Sequence, residues 1–152
     1  MAFEPNPDVC ERLSRNVAIN ALGNVAVRNE AVSGKDDKII LLLQKRSSLT
    51  TAYLCIDKRV SDGTRSINVT ATAIASILRS VDGPIALLKI DCEGAEYEIF
   101  DGLDDEAAAD VRQVTMELHA VEGRSHHEII RKLKAFGFAV HSTYPMLTAV
   151  RL

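Results

Sequence analysis

Two segments of the chain that have the composition of strands end in polar residues, one in an acidic residue and the other in a histidine. Asp91 ends the apolar run 85–91, and His119 ends the run 111–119. Ligands of α/β proteins bind beyond the carboxyl ends of the strands, so both side chains are expected at the ligand-binding edge. This position favours a functional role for Asp91. For His119 two interpretations stay open: a strand-end histidine bonded to a backbone carbonyl, or a general base that deprotonates a substrate hydroxyl.

Further carboxylates lie close to Asp91 in the sequence. Glu93 follows it by two residues, and Glu96 and Glu98 fall in the first turn of an expected helix. The helix dipole favours acidic residues there, so we predict that Glu96 and Glu98 are solvated. Asp91, Glu93 and His119 could also bind a divalent metal ion, because carboxylates and imidazole are common ligands. Their spacing does not require a metal, and we predict none.

The glycines and cysteines argue against several classes of enzyme. The eight glycines are isolated from one another, so the sequence contains no G-x-G or P-loop segment to hold a phosphate group. It contains neither a G-x-S-x-G motif nor a cysteine pattern typical of thiol catalysis. Hydride transfer, nucleotide hydrolysis and serine hydrolysis therefore lose their main support. The three cysteines are far apart and are expected to be reduced thiols in a cytoplasmic protein.

Charge and hydropathy limit the expected partners. The chain has 18 basic and 21 acidic residues in a mixed distribution, and its net charge is -3. This distribution offers no basic face for a nucleic acid. No apolar run approaches the roughly 20 residues that a membrane span requires. The expected partner is therefore a small molecule or another protein, without nucleic acid or membrane.

Strand and helix patterns alternate along the chain, which predicts a single α/β domain. The predicted strands are 2–4, 25–33, 85–91, 111–119, 138–144 and 147–152, the last two forming an antiparallel hairpin. The predicted helices are 7–23, 72–79, 94–103 and 125–136. A β excursion at about 35–70 is expected to contain two or three short strands, with apolar runs at 38–44 and 52–56. The run 85–91 is expected to be buried on both faces of a parallel sheet. Helical spacing assigns these residues to the core: Ala95, Ile99, Leu103, Ile129, Ile130 and Leu133. It also gives the first helix an apolar stripe for packing on a sheet, made of Val9, Leu13, Val17 and Ala21.

Several segments occur in an order that is specific to one family. They are AFEPNP, LSRNVAINALGNV, NEAVSG, LLKIDCEGAEYEIFDGL, VTMELH and KLKAFGF. Over residues 2–140 the chain resembles the FkbM-type methyltransferases that depend on S-adenosylmethionine. The resemblance implies a three-layer Rossmann-like sheet, mostly parallel with an antiparallel C-terminal strand. It also implies methyl transfer to a hydroxyl oxygen, on a sugar or a secondary metabolite.

The resemblance implies which residues bind the cofactor. Glu4 grips the ribose hydroxyls of S-adenosylmethionine, because a carboxylate can accept both hydroxyl protons. The segment that lies against the adenine is Ala31, Val32 and Ser33. These positions place the nucleoside part of the cofactor at the ends of the first strands of the chain.

The resemblance also implies which residues meet the methyl acceptor. Asp91 and Glu93 face the methionine end of the cofactor and the acceptor. Glu117 and His119 line the acceptor pocket. The predicted catalytic residues are therefore Asp91, Glu117 and His119.

One part of the family pattern is missing from this sequence. The first strand and the glycine-rich loop, which hold the methionine portion of the cofactor, are expected just upstream of the segment AFEP. Without them we expect an N-terminally truncated domain with an open sheet edge and weak or no cofactor binding. The open edge supports an alternative function, a non-catalytic interaction module that pairs with a partner strand or with a second copy of the chain.

Overall fold

The structure, a computed structural model, describes residues 1–43 and 65–152. It contains two compact units, Met1–Val32 with Asp36–Thr72 and Ser33–Lys35 with Ala73–Leu152. The described elements combine nine strands with five helices, which confirms the α/β class. None of the described helices is long and apolar enough to cross a membrane.

Six elements lie wholly or mostly in the first unit. They are β1 (Ala2–Phe3), α1 (Pro7–Ile19), β2 (Val27–Arg28), β3 (Ala31–Ser33), β4 (Asp37–Leu43) and β5 (Arg65–Ala73). β1 pairs in parallel with β2. β5 lies between β3 and β4 and is antiparallel to β4. Residues 38–43 of the first apolar run are thus in a strand, as predicted, whereas residue 44 and the run at 52–56 lie outside the described residues.

The first helix begins where the sequence predicts and ends earlier. The Asn6 side chain accepts a hydrogen bond from the Asp8 N–H at 3.0 Å, and a proline opens the first turn. Both features stabilise a helix N-terminus. The helix was expected to reach about Gly23, but Ala21 has a φ of 51°. This left-handed conformation interrupts the helical backbone, so α1 ends at Ile19.

The single strand predicted over 25–33 is wrong. The structure has two short strands there, β2 and β3, which belong to different sheets. They are separated at Asn29, whose side-chain N–H groups donate to the backbone oxygens of Glu4 at 2.8 Å and Pro5 at 3.2 Å. Asn29 therefore ties the end of β2 to the end of β1, and the chain leaves this pair of strands before β3 begins.

Eight elements make up the second unit. They are α2 (Ile74–Arg79), β6 (Leu88–Ile90), α3 (Glu96–Asp101), α4 (Asp105–Ala108), β7 (Gln113–Glu117), α5 (His126–Ala135), β8 (Phe138–Thr143) and β9 (Met146–Arg151). The strands form one sheet in the order β6-β7-β9-β8. β6 is parallel to β7, and β9 is antiparallel to both β7 and β8. The predicted C-terminal hairpin is confirmed, and the short helix α4 was not predicted.

The expectation of one mostly parallel sheet does not hold for the described strands. They form three separate sheets. β1 with β2 and β6 with β7 are parallel pairs, whereas β4 with β5, β7 with β9 and β8 with β9 are antiparallel pairs. The antiparallel C-terminal strand that the resemblance implies is confirmed, because β9 lies between β7 and β8 and is antiparallel to both. An antiparallel strand therefore occupies the position beside β7.

The prediction that 85–91 is buried on both faces is also wrong. Among the strands that the structure describes, β6 lies at the edge of its sheet. Ile90 is only 4% exposed, but Leu87 is 52% exposed and Lys89 is also exposed. Successive side chains of a strand point to opposite faces, so this strand buries one face and leaves the other to solvent. Its apolar composition did not distinguish these two situations.

The core of the second unit lies between one face of the sheet and the helices. Ile99 and Phe100 of α3 are each 1% exposed, and Leu133 of α5 is wholly buried. They lie with the sheet residues Met116 and Leu147, which are also buried. Five of the six residues predicted for the core of this unit are confirmed by this packing, whereas Ile130 is only partly buried. The apolar stripe predicted for the first helix is not confirmed, because Val9, Leu13 and Val17 are only partly buried and Ala21 is exposed.

Two glycines allow the backbone to approach α3 very closely. A Cβ atom on Gly102, directly after the helix, would lie 2.0 Å from the carbonyl oxygen of Gly34. A Cβ atom on Gly34 would lie 2.4 Å from the carbonyl oxygen of Glu98. Neither residue could carry a side chain without movement of the backbone. This crossing fixes the position of α3, and the Ser33 hydroxyl next to it donates to Glu98 Oε1 at 3.1 Å.

Candidate active site

The parallel pair of β6 and β7 brings the predicted catalytic residues together. Ile90 of β6 is in register with Met116 of β7, so the segments after these two residues leave the same edge of the sheet. A carboxylate oxygen of Asp91, one of Glu117 and a ring nitrogen of His119 lie within 4.8 Å of one another. The residues selected from the sequence therefore form one polar group at the strand ends.

His119 is held between two carboxylates. Its Nδ1 atom lies 2.9 Å from Oε1 of Glu96, and its Nε2 atom lies 3.5 Å from Oε2 of Glu93. The imidazole is 22% exposed. The backbone oxygen of His119 accepts a hydrogen bond from the Tyr97 hydroxyl at 3.1 Å. The structure thus contradicts the interpretation of a ring satisfied by a backbone carbonyl, because both ring nitrogens face carboxylates.

Glu96 is completely buried, so the prediction that it is solvated is wrong. Its Oε1 atom accepts hydrogen bonds from the N–H groups of Cys92 at 3.0 Å and Gly94 at 3.3 Å. Its Oε2 atom is buried and has no hydrogen-bond partner among the described residues. The local cause is a sharp turn, in which Glu93 has a φ of 51° and Gly94 a φ of 108°. The turn aims its backbone N–H groups at the first residue of α3 and draws that side chain inward.

The sequence did contain a signal for this burial. Glu96 precedes Ile99, Phe100 and Leu103 by three, four and seven residues. That spacing places its side chain on the apolar face of the helix, so helical periodicity argued for burial against the dipole argument for solvation. The prediction for Glu98 holds only in part, since this side chain is partly buried and accepts the hydrogen bond from Ser33.

The pKa of His119 is raised above its ordinary value of 6.5. Burial acts in the opposite direction, because it disfavours the charged ring. The hydrogen bond to Glu96 and the charges of Glu96, Glu93 and Glu117 outweigh that effect. In the neutral ring Nδ1–H can donate to Glu96, which leaves the lone pair of Nε2 to accept a proton. The ring can therefore act as a base once the pH exceeds this raised pKa.

Cys92 does not take part as a nucleophile in this arrangement. Burial raises the pKa of its thiol to about 11, and the charges of Glu96 and Asp91 act in the same direction. The thiol therefore stays protonated at neutral pH, and the thiolate is the reactive form. Asp91 in turn lies 3.2 Å from the ammonium group of Lys89, which offsets part of the local negative charge.

Glu4 lies in the first unit at the carboxyl ends of β1 and β2. The backbone N–H of Glu4 donates to the backbone oxygen of Arg28 at 3.0 Å, and its Oε1 atom accepts from the Asn6 N–H at 2.8 Å. Oε2 accepts no hydrogen bond from the described residues. Burial raises the pKa of this carboxyl, against the opposing effects of the Asn6 N–H and the Arg12 charge. One oxygen is thus anchored to the backbone, and the other is available to a ligand.

The three residues predicted to meet the adenine differ in burial. Ala31 is 5% exposed and Ser33 is completely buried, whereas Val32 is partly exposed. The Ser33 hydroxyl is already engaged by Glu98. Val32 is therefore the member of this segment that offers most surface to a ligand.

Residues 1–140 match the methyltransferase FkbM domain family. The chain belongs to the FkbM methyltransferase family. This confirms the resemblance that the segments AFEPNP and KIDCEGAE indicate. The chain is also similar to methyltransferase sdnD of Sordaria araneosa, with 29% identity over 164 residues that cover 90% of the chain and 63% of that protein. The chain thus spans about two thirds of the length of this curated relative, and no solved structure matches it.

Proposed function

We propose that this FkbM methyltransferase chain takes part in methyl transfer from S-adenosylmethionine to a hydroxyl oxygen of a small molecule, such as a sugar or a secondary metabolite. Family membership supports methyl transfer. One observation supports a hydroxyl acceptor: His119, oriented by Glu96 through Nδ1 at 2.9 Å, presents Nε2 at the strand-end edge. A hydroxyl is a weak nucleophile, and a positioned base assists it by removing its proton.

The chemistry of the carboxylates fits the parts of the cofactor that the resemblance assigns to them. Oε2 of Glu4 has no partner among the described residues, and a carboxylate oxygen suits the ribose hydroxyls. Asp91 and Glu93 offer negative charge suited to the ammonium group of the methionine end. The partly exposed Val32 offers apolar surface to the adenine. S-adenosylmethionine, when bound, supplies an electrophilic methyl group on a positively charged sulfur.

The residues around His119 then handle the acceptor. Nε2 takes the proton of the acceptor hydroxyl, while Glu96 holds Nδ1–H and balances the charge of the protonated ring. Carboxylate oxygens of Asp91 and Glu117 lie within 4.8 Å of a ring nitrogen of His119 and can accept hydrogen bonds from other hydroxyls of the acceptor. Holding the acceptor in line with the methyl group lowers the entropic part of the barrier.

The substitution Glu4→Gln tests the cofactor assignment. The amide can still accept the Asn6 N–H through its oxygen, but its NH₂ group then replaces the acceptor oxygen that would face the ribose. A hydrogen bond to a charged group contributes about 1.5–3 kcal/mol, so binding of S-adenosylhomocysteine is expected to weaken about 10- to 100-fold. Ligand-observed NMR, which detects weak binding, measures the effect.

The control is Glu11→Gln, on an exposed position of α1. It removes the same charge without touching the strand ends and is expected to leave binding unchanged. The cofactor assignment fails if the wild-type chain does not bind S-adenosylhomocysteine, or if both variants bind it as the wild type does.

The rate of methyl transfer is expected to rise with pH through a midpoint above 6.5. The base must be unprotonated, and a raised pKa means that this form appears only at higher pH. The groups that raise the pKa are Glu96 on α3, Glu93 in the turn after β6 and Glu117 on β7. Asp91 lies nearby and is paired with Lys89. A kcat/KM profile that is flat between pH 5.5 and 9 would show that no such base takes part.

A further inference from the structure

We infer that Glu96 is a positioning residue that sets the tautomer and orientation of His119 and so makes Nε2 the proton acceptor. This inference rests on the proposed function of His119 as a base. Glu96 itself is wholly buried, so its contact with a substrate is excluded. It acts through the imidazole, to which it is joined by the 2.9 Å contact with Nδ1.

The burial of Glu96 makes its position unusually well defined. Two backbone N–H groups, of Cys92 and Gly94, donate to the same oxygen that faces His119. A carboxylate is a pure acceptor when ionised, so this oxygen can receive Nδ1–H but cannot offer a proton to it. The other oxygen, Oε2, is buried without a partner among the described residues. A buried oxygen without a partner is costly, which argues that the side chain is kept for a purpose other than stability.

Two carboxylates compete for the single ring proton of neutral His119. Glu93 lies 3.5 Å from Nε2, and its side chain is 34% exposed. Glu96 lies 2.9 Å from Nδ1 and is shielded from solvent. The contact with Glu96 is shorter and less screened and is therefore the stronger of the two, so the proton resides on Nδ1. If Glu93 won instead, Nε2 would carry the proton and could not act as the base.

The remaining neighbours of His119 do not decide the tautomer. Glu117, at the end of β7, adds negative charge near the ring. Asp91, directly after β6, is also close to the ring but is paired with Lys89. The Tyr97 hydroxyl bonds the backbone oxygen of His119 rather than the ring. The ring nitrogens thus have only Glu96 and Glu93 as close partners among the described residues.

The test is Glu96→Gln, with Asp101→Asn as the matched control. Both substitutions convert a carboxylate on α3 to an amide, but Asp101 pairs with Arg124 and does not contact His119. For Glu96→Gln we expect the pKa of His119 to fall, the Nδ1-protonated tautomer to lose population, and kcat to drop about 100-fold. Binding of S-adenosylhomocysteine is expected to stay within about 2-fold. Asp101→Asn should change none of these quantities.

Nitrogen-15 NMR of the imidazole reads the pKa and tautomer without any methyl acceptor. Glu96→Asp is a second variant: it keeps the charge, so the pKa should stay raised while kcat partly recovers relative to Glu96→Gln. An unchanged His119 spectrum in folded Glu96→Gln would overturn the inference. So would an Nε2-protonated neutral ring in the wild type, which is decisive even if the variants fail to fold. If the wild type methylates no hydroxyl compound, the proposed function fails, but the spectrum still decides the role of Glu96.

Discussion

Replacing His119 by Asn is expected to lower the rate of methyl transfer by about 10²- to 10⁴-fold, the range that general bases contribute. The substitution is designed around the two ring nitrogens. The amide NH₂ of Asn can still donate to Glu96, in the place of Nδ1–H, whereas nothing replaces Nε2. The buried carboxylate therefore keeps a partner, and the loss concerns the proton acceptor alone. Release of S-adenosylhomocysteine, measured against a panel of hydroxyl compounds, reports the rate.

The control is His141→Asn, at an exposed position of β8. It makes the same chemical change away from the strand-end edge and should leave the rate unaltered. Binding of S-adenosylhomocysteine should also persist in His119→Asn, because the cofactor is assigned to other residues. Retention of more than about a third of the wild-type rate in His119→Asn would exclude general-base catalysis by this histidine, since a general base contributes far more than 3-fold.

Stability and activity are expected to depend on pH in opposite directions at His119. The folded pKa is raised above 6.5. The carboxylates beside the protonated ring therefore stabilise the fold fully at pH values below the pKa of His119 in the unfolded chain. This contribution is lost as the pH rises through the pKa of His119 in the folded protein. As the pH rises through this pKa, the neutral ring, which is the catalytic form, replaces the protonated ring, which is the stabilising form. His119→Asn should thus cost more stability in mild acid than at alkaline pH, which chemical denaturation at two pH values can show.

The helices were more predictable from the sequence than the sheet arrangement. Local signals mark their ends: Asn6 caps α1, and Ser125 with Glu128 forms a capping box at the start of α5. Apolar spacing correctly placed Ile99 and Leu133 in the core. These signals act within one or two turns, so the sequence carries them directly.

Strand pairing depends on contacts between distant segments, and there the predictions were weaker. The run 85–91 is apolar enough for a strand buried on both faces, but among the described strands β6 has a neighbour on one side only. The break between β2 and β3 depends on Asn29 reaching the backbone of Glu4, which lies 25 residues earlier. No local pattern encodes either contact.

The strand-end residues of the candidate site were predictable, whereas its buried member Glu96 and its internal contacts were not. The carboxyl ends of parallel strands converge, so Asp91, Glu117 and His119 were correctly expected together. Glu96 was missed because its dipole-favoured position argued for solvent exposure. Its burial depends on the turn at Glu93, where a residue other than glycine has a positive φ. Such a conformation is uncommon and is not marked by the residue type.

The substitution Gly102→Ala is expected to destabilise the protein by about 3 kcal/mol, at the upper end of the range for overpacking. The cause is steric, because Gly102 has φ of -85° and ψ of -5°, which alanine adopts without strain. The new Cβ atom would lie 2.0 Å from the oxygen and 2.2 Å from the Cα of Gly34. Both atoms belong to the backbone, so no side-chain rotation can relieve the overlap. The melting temperature should fall by roughly 6–12 °C for a chain of this size.

Gly23→Ala is the matched control, because its Cβ atom would meet nothing within 4 Å. It should be neutral or slightly stabilising, since alanine restricts the unfolded chain. The crossing of Gly34 and Gly102 holds the end of α3, and Glu96 at the other end holds His119. Gly102→Ala that still folds should therefore also disturb the Nδ1 contact, visible as a changed imidazole spectrum. A melting temperature within about 2 °C of the wild type, a shift worth less than 1 kcal/mol, would show that the two backbones are not packed as closely as described.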